Sequence, residues 1–142
     1  MSYRDFSTKP EAAAEAFVCV HERFGGGVFA WTDLSIEAAD FGQKIVFPEE
    51  STAHPDYSDP LIKDVADYRK LRRIDLKEAK RMQGVLETVR IVSNSERFKG
   101  GSMTSLCLGP LAVLNMMRGA EHLLRDCMLY PKEVTACMET VT

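Results

Sequence analysis

The sequence predicts an α/β protein, and three observations carry that prediction. Val28 to Trp31 and Ser102 to Leu108 are short apolar runs without clean alternation, the pattern of strands buried on both faces of a parallel sheet. Each run passes at once into a helical pattern. The stretch between them is mostly helical in pattern and far longer than the roughly dozen residues that a parallel crossover needs. This is βαβ logic, which calls for a parallel sheet and a right-handed connection.

A chain of 142 residues has room for one domain with a real core. Its 45% hydrophobic and 27% charged residues are an ordinary globular composition. A net charge of −3 gives no electrostatic reason to expect nucleic acid or an anionic membrane as partner. No apolar run approaches the roughly 20 residues that span a bilayer. Met1 to Phe6 lacks the apolar centre of a signal peptide. A cytoplasmic location is the default expectation.

The elements follow in order. Lys9 to Phe24 reads as an amphipathic helix with Ala13, Phe17, Val20 and Phe24 on one face and Pro10 in its first turn. Gly25-Gly26-Gly27 stops it and turns the chain into the first strand. A phosphate-binding loop would need Gly-Lys-Ser/Thr here, and Val-Phe stands instead. The strand ends at Thr32-Asp33, so the Asp33 carboxylate lies where strand meets loop, the end at which α/β folds gather ligands and catalytic groups. Asp33 is the candidate catalytic residue; a helix cap is the competing role. Leu34 to Phe41 is a short helix stopped by Gly42, and Lys44 to Phe47 a short strand suited to a hairpin. Pro48 to Pro60 is a polar loop carrying Glu49, Glu50, His54, Asp56 and Asp59, either solvated or a rim over a site. Leu61 to Leu71 holds a short helix, followed by the cluster Arg69, Lys70, Arg72 and Arg73, which Asp64, Asp67 and Asp75 balance as a charged surface.

Asp75 to Asn94 is expected as the longest helix, with an apolar stripe from Leu76 to Val92 and Asp75 as its cap. A polar loop leads to the second strand, where Gly109-Pro110 breaks the chain and starts the next helix, Leu111 to Met117. Arg118-Gly119 interrupts it. Ala120 to Leu129 follows, with Ala120, Leu123, Leu124 and Cys127 on one face, and Tyr130-Pro131 forces a further break. The last pattern carries Val134, Cys137, Met138 and Val141. Val28, Phe29, Leu106 and Leu108 are expected core. Cys19, Cys107, Cys127 and Cys137 are widely spaced, lack any Cys-x-x-Cys pair, and are expected as buried thiols with no metal site.

Two parallel strands do not make a stable sheet. Residues 1–142 are therefore expected to be a single partial domain of a larger α/β design, either a piece of a longer chain or a unit that completes its sheet with another copy. Open strand edges favour self-association.

At Trp31-Thr32-Asp33 and again at Gly109-Pro110 the sequence resembles the uroporphyrinogen decarboxylase superfamily. After the first motif come Phe41-Gly42, a polar loop, Asp64-Val65-Ala66-Asp67-Tyr68-Arg69-Lys70-Leu71 and a long helix. After the second come Arg118-Gly119 and a Leu-Leu helix ending at Tyr130-Pro131. The order and spacing match from Gly27 to Thr142. The resemblance implies the first βα units of a (β/α)8 TIM barrel with its site at the C-terminal face of the strands. It sets Asp33 at the aspartate that faces the pyrrole nitrogens in the decarboxylases.

Two departures point away from decarboxylation. The arginine-rich N-terminal segment of the decarboxylases is missing, with Arg4 standing alone, and Met116 stands near the place of their tyrosine. A substrate with many carboxylates needs fixed cations. The resemblance is closer to the corrinoid-dependent methyltransferases. It then implies a methyl group moving between a corrinoid, free or on a corrinoid protein, and a thiol or tetrahydrofolate. Thiol-using members hold zinc with a His-x-Cys pair and a distant Cys in the second half of the barrel, and zinc lowers the thiol's pKa. Those ligands are absent here: His122 and Cys127 are five apart, His54 is in the long loop, and His21-Glu22 is on a surface-like helix. Any zinc would come from residues outside this chain. The alternatives are a decarboxylase fragment and a non-catalytic truncated or assembly module.

Overall fold

Helices begin where local chemistry favours them. In the computed structural model, which describes Met1–Thr142, the first helix α1 (Tyr3–Thr8) is capped by the Ser2 hydroxyl, which accepts from the Asp5 N–H at 3.1 Å. Helix α2 (Pro10–Phe24) has proline at its start and an alanine-rich first half. Gly25 and Gly26, at φ 68° and 74°, then reverse the chain in a backbone region that strains other residues. Strand β1 (Gly27–Phe29) follows.

After β1 come helix α3 (Ile36–Asp40), strands β2 (Ile45–Val46) and β3 (His54–Pro55), a 3-10 turn over Val65–Lys70, helix α4 (Lys80–Ser93) and strand β4 (Ser102–Thr104). Helices α5 (Pro110–Arg118), α6 (Ala120–Leu129) and α7 (Pro131–Val141) end the order. Strands β1 and β4 pair in parallel, with Val28 opposite Met103, as the helical crossover requires. Strands β2 and β3 pair antiparallel, with Ile45 opposite Pro55, so the hairpin expectation holds.

The apolar side chains gather in two cores. One joins α2, α4 and the parallel pair through Ala13, Phe17, Val18, Val28, Val92 and Phe98. The other joins α3, the 3-10 turn and α5 to α7 through Ile62, Tyr68, Leu114, Met117, Leu123 and Val134. Helix α3 lies at the seam. Its Ala38 packs into the second core, while its acidic residues face α4 and the chain beyond β4.

The α/β expectation holds, but the parallel pair is one step of sheet and not a barrel wall. The strands are also shorter than the apolar runs that announced them. The second ends at Thr104, and Ser105 to Gly109 is irregular and mostly exposed. Phe29 and Leu106, expected in the core, are 45% and 41% exposed: helices cover only the Val28 side of the pair, and Leu106 lies in the irregular segment beyond β4. Leu108 is half-buried against the second core. Val20, Phe24, Leu76, Leu86 and Leu124 are exposed as well. An apolar stripe wider than the neighbouring element leaves its margins in water. Cys19 and Cys107 are exposed, contrary to expectation; Cys137 is buried and Cys127 partly so.

Helix α4 begins at Lys80 rather than Asp75. Asp75 instead closes a separate turn, accepting from the Lys77 N–H at 2.9 Å. With 14 residues α4 is one shorter than α2, so it is not the longest helix. The loop from Pro48 to Pro60 is tied down rather than free. It contributes β3, buries Ala53 and Pro55, and is gripped by Gln43, whose Nε2 donates to carbonyls of Asp56 and Asp59.

Candidate functional site

Chain leaving the C-terminal ends of two paired parallel strands must turn outward together, and polar groups collect there. The backbone ladder continues past β1, with the Ala30 N–H donating to the Thr104 carbonyl at 2.8 Å. Trp31, Thr32 and Asp33 then carry the chain to α3. The Asp33 side chain is fully buried. Its Oδ1 accepts from the Ser35 N–H at 2.9 Å, which closes the turn before α3. Its Oδ2 accepts from Nη2 of Arg81 at 2.5 Å. Asp33 thus has a turn-closing bond and an ionic partner at once; it is not the cap of α3, whose N-cap is Ser35 and carries no side-chain cap bond.

Arg81 comes from the first turn of α4. Its guanidinium lies 5.4 Å from the centre of the Phe47 ring, and its side chain is 17% exposed. The start of α4 is fixed by Asp40, whose two oxygens accept from the N–H groups of Arg81 and Met82 at 2.9 Å each. A carboxylate at a helix N-terminus satisfies orphan donors and complements the helix dipole. Thr32, Lys80 and Arg81 also line a crevice of about 40 Å³ between the α1–α2 join and α4.

Glu37 is the third acidic residue of this end. It is 8% exposed, and its Oε1 accepts from the Leu108 N–H at 2.7 Å. That bond crosses from α3 to the segment that follows β4 and precedes Gly109-Pro110. Three buried polar atoms are without a partner: Nε1 of Trp31, Oε2 of Glu37 and Nη1 of Arg81. All three belong to residues of this strand end or of the helix start that faces it.

Sequence reasoning singled out Asp33 and passed over Arg81, Glu37 and Asp40, which also lie at this strand end. One signal was available. Residues 33, 37 and 40 recur at helical spacing, which sets three carboxylates along one face of the turn and helix. Arg81 carried no such signal, since a basic residue early in a helix reads as surface.

Other predicted residues lie elsewhere. Lys70, Arg72 and Arg73 border a groove of about 550 Å³ with Phe41 and Leu61 in its lining. Met116 is half-buried, and the Tyr57 hydroxyl donates to its sulfur at 3.7 Å. Arg4 is exposed on α1. The histidines are dispersed: His21 Nδ1 lies 2.8 Å from the Gly26 carbonyl, and His122 Nδ1 lies 2.7 Å from Arg125 Nη2. No three His, Cys, Asp or Glu groups come together in a way that would hold a metal ion. No helix is long and apolar enough to cross a membrane.

A parallel strand pair with helices on one side and buried carboxylates at its C-terminal end defines an α/β protein whose polar centre lies at the strand ends. The family model for uroporphyrinogen decarboxylase (URO-D) matches residues 1–142, and the chain belongs to that family. No curated protein matches it.

Proposed function

We propose that this chain supplies the first βα units of a barrel enzyme that moves a methyl group between a corrinoid and a thiol or tetrahydrofolate. The observation that carries this choice over decarboxylation is the state of the cations. A polycarboxylate substrate needs arginines with free donors converging on it. Arg81, at the strand end, spends Nη2 on Asp33 and keeps only Nη1 without a partner, and Arg4 is exposed on α1, so one free guanidinium arm stands where many carboxylates would need several.

A corrinoid asks for different chemistry. Its rim carries neutral amides, which need hydrogen-bond acceptors and apolar surface. Glu37 Oε2 is a buried acceptor without a partner, and Phe29 at the end of β1 and Trp31 just beyond it form an edge-to-face pair at 5.7 Å. These residues fit such a group. When bound, the corrinoid supplies the transferable methyl group; the chain's own residues bind and orient. Asp33 is the catalytic residue of this reading, held at the strand end by Ser35 and Arg81. The scattered His and Cys residues do not fit a zinc site, and no step through zinc is derived from this chain. The open outer edges of β1 and β4, each paired on one side only, support self-association.

The test begins with the intact mass and oligomeric state of the natural product. Demethylation of methylcobalamin by a thiol or tetrahydrofolate is then followed by its visible spectrum, beside carbon dioxide release from uroporphyrinogen. Methyl transfer alone is the expected result. Carbon dioxide release would overturn the choice, and neither activity in a stable oligomer would favour the assembly module.

A further inference from the structure

We propose that Glu37 is a ligand-binding carboxylate of this strand end, with Oε1 fixed by the Leu108 N–H and Oε2 presented to an N–H donor of the bound molecule. The proposal deepens the corrinoid reading above and rests on it for the choice of first probe. Glu37 differs from its acidic neighbours in one respect. Asp33 has both oxygens engaged, by Ser35 and Arg81, and Asp40 has both engaged by the start of α4. Glu37 has one oxygen engaged and the other buried and unpartnered, in a residue 8% exposed. A buried carboxylate oxygen with no donor is costly to keep, because desolvation is not offset by a bond. A fold that pays this cost beside strand ends has an acceptor ready for a ligand.

A second observation points the same way. The Trp31 indole N–H, on the segment leaving β1, is a buried donor without an acceptor. A ligand rim that offers both acceptors and donors, as a carboxamide does, would satisfy either group. Ser105 to Gly109, the segment bonded to Glu37, has no regular secondary structure and is mostly exposed. The Leu108 N–H of that segment is tethered to Glu37 itself. The N–H donor has two possible sources, a corrinoid amide or a pyrrole N–H of a porphyrinogen.

The test is titration of the full chain with methylcobalamin, and separately with uroporphyrinogen. Trp31 is the single tryptophan, so its indole N–H resonance and the Leu108 amide resonance report the site. Glu37→Gln keeps Oε1 as acceptor for Leu108 and removes the charge; Glu37→Asp keeps the charge and shortens the reach. Wild type is expected to bind methylcobalamin with shifts of both resonances. Glu37→Gln is expected to weaken binding about 10-fold or more, with a thermal midpoint no lower than that of wild type. Glu37→Asp covers the case in which the glutamine variant fails to fold, and is expected to weaken binding likewise. Binding of uroporphyrinogen alone, weakened by the same variants, would overturn the corrinoid reading and keep the role of Glu37. Equal binding by wild type and folded variants would overturn the role of Glu37 and leave the corrinoid reading standing. Binding of neither molecule by wild type would overturn both.

Discussion

The chain buries charge in two places and treats it differently. In the helical core, Arg118 donates from Nε to Asp126 at 2.7 Å and from Nη1 to the Lys63 carbonyl at 2.6 Å, and the Tyr68 hydroxyl donates to the same carboxylate oxygen at 3.0 Å. None of these three residues leaves a buried polar atom unpartnered. At the strand end, three residues do. Burial pushes the Tyr68 hydroxyl up from its ordinary value, and its bond to Asp126 adds to this. Burial also works to raise the Asp126 carboxyl, yet Arg118 and Tyr68 hold it below the usual carboxylate range. The helical triad is a closed network that ties the segment around Ile62 and Lys63 to α5 and α6. The strand-end network is open. Closed networks specify a fold, and open ones leave atoms for a ligand.

The largest expected effect tests the closed network. Asp126→Ala strands the Arg118 guanidinium in the core and is expected to cost about 3–5 kcal/mol in urea denaturation. The double variant Arg118→Met/Asp126→Leu removes both charges and is expected to recover most of that loss. A double variant as unstable as the single one would show that the Lys63 carbonyl, and not the charge pair, needs Arg118. Next comes Leu114→Ala, in the apolar part of the same core, with an expected loss of about 2–5 kcal/mol in the same assay.

The open network should respond less in stability and more in function. Asp33→Ala leaves Arg81 without its carboxylate and is expected to cost about 1–3 kcal/mol. It should also abolish whichever turnover the wild type shows. Unchanged turnover would limit Asp33 to closing its turn and pairing with Arg81.

The smallest effect concerns acid. Lys70, aided by the N–H groups of Lys63 and Asp64, holds the Asp67 carboxyl down to about 2. Ser58 and Lys44 hold Asp56 down to about 2 as well. In both cases the folded value lies below the unfolded one, so the stabilisation is full above about pH 4 and is lost as pH falls toward 2. Thermal midpoints should therefore drop across that window, and Asp67→Asn should flatten part of the drop. An equal slope in Asp67→Asn would exclude Asp67 as a source of the acid sensitivity and leave Asp56 to be tested by Asp56→Asn.

Much of the fold was legible from residues alone. Pro10, Gly25, Pro110, Gly119 and Pro131 all mark helix boundaries in the structure, because backbone restriction acts locally. The parallel pairing was legible from the length of the crossover. Which side of each stripe would be covered was not. Val20 and Phe24 fit the helical period as well as Phe17 does, and only the position of α4 and the parallel pair decides among them. Arg118 was legible as an interruption but not as a core residue, since its partner Asp126 sits among apolar neighbours on another helix.

By itself, the sequence determined where helices start and stop, the α/β class, the parallel strands and the acidic residue at the strand end. These follow from φ restriction, periodicity and connection length, which act within a segment. Only the tertiary structure decided that Arg81 closes on Asp33 from 48 residues away, that Glu37 reaches Leu108 across 71, and that Phe29 faces outward. Contacts between distant segments depend on how helices α3 and α4 settle against the parallel pair. No local rule encodes that placement, because burial is set by the neighbour that covers a face and not by the face itself.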